Sequence, residues 1–135
     1  MLLDETAVLA NGNHIPRLGL GTWQIPNDDA ARVVHDAIAM GYRLIDTAQA
    51  YENERGVGQG IRESGVERER LFVTTKLVAE CKTFEDARER IYGSLGALGL
   101  EYIDLMLIHS PQPWAAFRED ERFFEGNLEA WRALE

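Results

Sequence analysis

The chain has 135 residues, 45% of them hydrophobic and 27% charged, proportions that suit one globular domain with a core of its own. No run of 18 apolar residues occurs, which excludes a membrane-spanning helix, and the acidic N-terminus lacks the positive region of a signal peptide. The 14 basic and 23 acidic residues give a formal net charge of −9, so no overall basic face offers itself to nucleic acid or to an anionic membrane, and the expected location is cytoplasmic. The single cysteine, Cys81, excludes an internal disulfide and any multi-cysteine metal site.

Along the chain, short apolar runs alternate with longer amphipathic ones. Residues 6–9 and 14–15 flank Asn11-Gly12-Asn13 and predict a small β-hairpin. Residues 17–20 follow as a short strand ending in Gly21-Thr22-Trp23. Asn27 or Asp28 is placed to cap a helix through Val34 and Ile38, stopped by Gly41. Residues 42–46 form the next strand, and a loop over 47–52 leads to a helix over about 53–64. Leu71 to Lys76, rich in β-branched residues, is a strand. Thr83 and Asp86 resemble a capping box opening a helix with Ala87, Ile91, Leu95 and Leu98 at helical spacing. Residues 103–108 are nearly all apolar, as in a strand buried on both faces, and a last helix starts near Gly126.

Strict alternation of strand and helix implies a parallel sheet. Trp23, Asp46, Lys76 and His109 each fall at or just past the C-terminal end of a different strand, which is how a (β/α)8 barrel collects its chemistry. A doubly wound sheet would carry a glycine fingerprint after its first strand, and Gly19 and Gly21 lack the third glycine. Gly56, Gly58 and Gly60 lie inside a predicted helix and are not a phosphate loop. The expected fold is therefore a TIM barrel, of which residues 1–135 supply the hairpin and about the first four βα units as one domain.

Asp46, Tyr51, Lys76 and His109 are the candidate catalytic set. Any one of them alone has a bland explanation: Asp46 bracing a loop, Lys76 reaching solvent, His109 bonding within a turn. Four at consecutive strand ends and the adjoining loop favour chemistry. A phenol titrates near 10, and a lysine ammonium within about 4–6 Å favours its ionised form. Asp46 can keep such a lysine charged, and His109 offers a donor near a reacting oxygen. The set suits giving a proton to a carbonyl oxygen while another group attacks the carbon.

Several segments resemble one known family. They are Leu18-Gly19-Leu20-Gly21-Thr22-Trp23, Gly41 to Ala48 with Tyr51 and Asn53-Glu54, Val57-Gly58, Leu71 to Lys76, Ser94 to Leu100, and Asp104 to His109. Together they are similar to the aldo-keto reductases, and within them to bacterial members that reduce 2,5-diketo-gluconic acid and similar small dicarbonyls. The resemblance implies NADPH-dependent reduction, with Tyr51 as general acid, Lys76 activating it, Asp46 supporting Lys76 and His109 orienting the carbonyl. It implies Gly21, Thr22, Trp23 and Asp46 at the cofactor, and Trp23, Tyr51, His109, Ser110 and Trp114 at the substrate. Two departures stand out. Glu52 occupies a position where the family often has glycine, and Ser110 one where it often has tryptophan. The smaller Ser110 should open the pocket, and Trp114 should fill part of that space.

The family's grip on the cofactor pyrophosphate lies in the second half of the barrel, outside these residues. The partners expected are a small carbonyl substrate, with no metal, nucleic acid or membrane. Alternatives are a half-barrel that works only by association, and a lyase using Lys76 as a Schiff base. A full barrel is expected to be monomeric. Should 135 residues be the entire polypeptide, two copies are expected to pair edge to edge, closing eight strands.

Overall fold

The computed structural model describes residues 2–135. A two-stranded antiparallel hairpin comes first, β1 (Thr6–Val8) and β2 (His14–Pro16), with Ala7 opposite Ile15. Four parallel strands follow: β3 (Gly19–Gly21), β4 (Leu44–Asp46), β5 (Phe72–Leu77) and β6 (Leu105–Ile108). Between and after them run α1 (Asn27–Ala39), α2 (Glu54–Glu63), α3 (Phe84–Leu98) and α4 (Phe124–Leu134). The sheet order β3-β4-β5-β6 is the order of the chain, and each helix packs on the next. A doubly wound sheet reverses its strand order at a switch point. Here every crossover advances in one direction with the helices in one layer, which is barrel construction.

The two faces of the sheet have separate duties. Ile45 and Val73 turn toward the helices and join Ala30, Val34, Ile38, Val57, Ile61 and Leu98 in one apolar cluster. Leu77 anchors a second with Cys81, Ala87 and Ala130. Each fully buried Ile, Leu or Val contributes about 1.5–3 kcal/mol. Because side chains alternate along a strand, Asp46 and Lys76 point to the other face, the barrel interior. Register places Asp46 opposite Thr74, so Lys76 stands one side-chain step higher on the neighbouring strand.

The glycines of α2 have a packing cause. A Cβ on Gly56, Gly58 or Gly60 would run into Asn27 O, Leu98 O or Ala31 O, so this helix lies pressed between α1 and α3. No helix among the described residues is long and apolar enough to cross a membrane.

Several sequence expectations need correction. Neither Asn27 nor Asp28 caps α1: Pro26 takes that place, with φ −58° and ψ 146°, and no side chain accepts a helix N–H. Asn27 Oδ1 instead accepts from Gly56 N at 2.9 Å and ties α1 to α2. The strand expected over 42–46 begins at Leu44. Tyr42 N is spent on Ala37 O, and Gly41 (φ +107°) on Ile38 O, closing the helix before the strand can start. Thr83 does cap α3, accepting from Asp86 N, but Asp86 turns its carboxylate to Arg90 instead of back to Thr83. α4 starts at Phe124, two residues before Gly126. β6 is not buried on both faces: Met106 and Ile108 pack on the helices, while Leu107 remains 40% exposed on the inner face.

Candidate active site

β4 and β5 end side by side, and their last inward residues meet. Lys76 Nζ lies 2.5 Å from Asp46 Oδ1, 2.9 Å from Thr47 O and 3.4 Å from Tyr51 Oη. All three ammonium protons therefore have acceptors, and Lys76 is 13% exposed. Tyr51 reaches the lysine from a short 3-10 turn, Gln49–Tyr51, in the loop after β4. That loop closes through Glu52 in the left-handed region (φ +56°), a conformation that costs a non-glycine residue roughly 1–2 kcal/mol. The backbone thus accounts for why glycine would suit this position.

His109 arrives from the end of β6, fixed by its own N–H to Leu77 O at 3.0 Å. Its ring stands edge-on to Tyr51, with centroids 5.5 Å apart. Burial, and then the Lys76 charge, push its pKa below the usual imidazole value, with Asp46 and Glu80 opposing. Burial and the Lys76 charge both favour the neutral ring. Its Nδ1 is buried and has no partner among the described residues, which leaves Nε2 as the nitrogen through which the ring can meet a ligand. The assembly combines a phenol, an ammonium fixed beside it by a carboxylate, and a neutral imidazole. It can hold a proton at Tyr51 Oη and present it to an oxygen placed near both rings.

The remaining candidates divide between surface and bracing. Gly21 opens onto space, with nothing within 4 Å of where a Cβ would stand, and Trp23 beyond it is 67% exposed. Thr22 is fully buried, and its N–H and hydroxyl both go to Asp46 O. It braces the end of β4 and presents no side-chain atom to a ligand. Ser110 is also buried; its carbonyl accepts from Lys82 and its hydroxyl from Gln112 N. Trp114 stands edge-on to His109 at 5.5 Å, with Phe117 next to it at 6.0 Å, and so occupies space beside the imidazole. Its backbone N–H is held by Glu80 Oε1 at 3.0 Å.

His14 bonds Thr6, and His35 lies against Asp36, both away from this cluster. Cys81 is buried, and burial followed by Asp86 pushes its thiol up to about 11. Among the described residues no group of three or more His, Cys, Asp or Glu is placed to hold a metal. A cavity of about 680 Å³ lies at the opposite end of the sheet, lined by Leu3, His14, Arg43, Phe72 and Asp104 among others; it contains none of the catalytic candidates.

Sequence reasoning missed a set of buried polar residues around Tyr51. Asn53 is fully buried and donates to Thr22 O and Ile25 O while accepting from Thr47 Oγ1. Glu54 accepts from Thr75 and Ser94, and burial holds its carboxyl above the usual range against those two bonds. Asn53, Glu54 and Ser94 stood in the quoted motifs without a role, whereas Gln49 carried no signal.

Comparison with known proteins identifies the family. The profile of the aldo/keto reductase family matches residues 17–135. Morphine 6-dehydrogenase of Pseudomonas putida is 44% identical over 94% of this chain and 40% of its own length. Methylglyoxal reductase DkgA of Escherichia coli is 41% identical over 93% of this chain and 42% of its own. A Bombyx mori aldo-keto reductase crystallised with NADP has a TM-score of 0.82 and 38% identity, covering 96% of this chain and 45% of that one. The chain therefore spans about 40% of the length of these curated relatives.

Proposed function

The chain belongs to the aldo/keto reductase family, and from that premise we propose that it carries the proton-donating part of an NADPH-dependent carbonyl reductase. Tyr51 Oη gives the proton to the carbonyl oxygen. Lys76 stands by as an ammonium, held by Asp46 and Thr47 O, and favours the phenolate left behind. His109 orients the carbonyl through Nε2. NADPH, when bound, supplies the hydride. Gly21, where the backbone is open to approach, and the exposed Trp23 beside it are the residues of this chain that suit a flat ring. Asp46 lies at the same strand ends, and Thr22 supports it from behind.

The observation that carries this reading is the single lysine bonded at once to a carboxylate and a tyrosine hydroxyl, with a neutral imidazole edge-on to that tyrosine. A lyase reading fares worse. Schiff-base chemistry needs a free amine, and Lys76 Nζ is engaged by three acceptors. The substrate is a small carbonyl compound of the dicarbonyl or keto-sugar acid type, entering past Trp23 and Trp114.

The test is NADPH oxidation, with a panel of small aldehydes, ketones and dicarbonyls, by a protein that carries these residues within a complete barrel. Turnover that requires both the carbonyl compound and NADPH is expected. Failure to oxidise NADPH with every member of the panel would overturn the reading.

A further inference from the structure

Tyr51 sits on a turn that cannot hold its own shape. The turn spans three residues, and its backbone bonds are Tyr51 N to Ala48 O and Glu52 N to Gln49 O, at 3.1 and 3.2 Å. A single 3-10 turn is poorly stabilised by such bonds, so its position must come from elsewhere. It comes from the first residue of the turn. Gln49 Oε1 accepts from Val78 N at 3.0 Å, and Nε2 donates to Arg90 O at 2.9 Å and to Ser94 Oγ at 2.8 Å. Val78 lies two residues beyond Lys76, while Arg90 and Ser94 lie on α3. One primary amide thus ties the tyrosine's turn to the strand that carries the lysine and to the helix behind it.

The tether is backed by a second link. Ser94, 1% exposed, in turn donates its hydroxyl hydrogen bond to Glu54 Oε2 at 3.2 Å. Glu54 Oε1 accepts from Thr75 Oγ1 at 2.6 Å, and Thr75 directly precedes Lys76. The path Gln49, Ser94, Glu54, Thr75 leaves the turn ahead of Tyr51 and returns to β5. Glu54 stands three residues after Tyr51, so both sides of the turn are referenced to the same strand.

We propose that Gln49 is a positioning residue for Tyr51, setting the separation of the phenol oxygen from Lys76 Nζ. The inference rests on the proton-donor role argued above. Gln49 touches neither Lys76 Nζ nor the ring of His109, and acts only through the turn. The amide is chemically suited to the task, since it accepts from one neighbour and donates to two at once. A leucine of similar size would keep the bulk and lose all three bonds. Neither Gln49 nor Ser94 belongs to the apolar clusters that hold the helices to the sheet, so losing the tether should leave the fold standing. What should change is the 3.4 Å approach of Tyr51 to Lys76. Displacements of about 1 Å at a reacting group can cost roughly 10²-fold in rate.

The experiment compares Gln49→Leu, Ser94→Ala and the double variant in a protein that carries these residues within a complete barrel, with Tyr51→Phe as reference. For Gln49→Leu, kcat should fall by about 10–100-fold while KM, NADPH affinity and thermal midpoint stay close to wild type. The solvent deuterium isotope effect on kcat should rise, because protonation becomes the slow step. Ser94→Ala should show a smaller loss of the same kind, and the double variant should be no worse than Gln49→Leu, since both break one path. Wild-type kcat in Gln49→Leu would overturn the proposal. So would a loss that merely tracks the folded fraction with an unchanged isotope effect. Retained activity in Tyr51→Phe would instead overturn the proton-donor reading, so the two failures are distinct.

Discussion

At the N-terminal ends of the strands Arg68 meets Asp104 at 2.6 Å, and at the C-terminal ends Lys76 meets Asp46 at 2.5 Å. Arg68, Asp104 and Lys76 are mostly buried and Asp46 is partly exposed, and both pairs bridge neighbouring segments of one sheet. Their remaining partners differ. Arg68 also donates to Leu71 O and Tyr102 O and lies 4.0 Å over the Tyr102 ring, while Asp104 accepts from Val73 N. Apart from the Tyr102 ring, that pair's other partners are backbone, so it staples strand starts together. Lys76 has one partner of another kind, a phenol with a proton to give, and that phenol faces an imidazole. On the proposed reading, the third partner decides whether an ion pair in this sheet is structural or chemical.

Substituting the two cations should separate those roles most sharply. Lys76→Met is expected to abolish carbonyl reduction and to lower stability, because Asp46 loses its counter-charge. Arg68→Met should destabilise by about 2–3 kcal/mol, since Asp104 keeps only Val73 N and the pair is somewhat exposed. Its folded fraction should turn over at the wild-type rate. Steady-state kinetics and thermal unfolding on both variants check this, and loss of kcat per folded molecule in Arg68→Met would break the division.

The same contrast explains what could be read from sequence. Asp46 was legible because it closes an apolar run and Lys76 because it stands near the end of a β-branched strand, and a charged residue there has few places to go except the barrel mouth. Strand order and helix layering followed from the alternation. The tether on Tyr51 was not legible, because Gln49 and Ser94 are 45 residues apart and meet only once α3 has packed against β5. The α1 cap was misplaced for a local reason: Pro26 already fixes the extended backbone that a capping side chain would select. The inner side of β6 is exposed because the described residues supply no strand beyond it, whereas hydrophobicity reports what a strand could bury.

Two smaller effects sharpen the picture of the chemical end. Burial holds His109 below the ordinary 6.5, so between that depressed value and 6.5 the unfolded chain carries a proton that the folded chain lacks. Stability should therefore fall as pH drops through this window and level off below it. Glu54, with its carboxyl raised above 4.5, works the other way, favouring the fold at lower pH. Denaturant titrations of wild type and His109→Gln over this range isolate the imidazole, and the variant should show the weaker acid loss. The smallest effect concerns Cys81. With its thiol pushed up to about 11, the native protein should resist alkylation at mildly alkaline pH and be modified only on unfolding, which mass spectrometry after iodoacetamide would detect.

Proton transfer from Tyr51 is tested most directly by Tyr51→Phe in a protein that carries these residues within a complete barrel, with NADPH bound before a small dicarbonyl is added. The variant should bind NADPH with wild-type affinity, since the phenyl ring is retained, and should reduce the carbonyl about 10²–10⁴-fold more slowly. Reduction at the wild-type rate would contradict the assignment of Tyr51 as the proton donor, and with it the chemical role given to this end of the sheet.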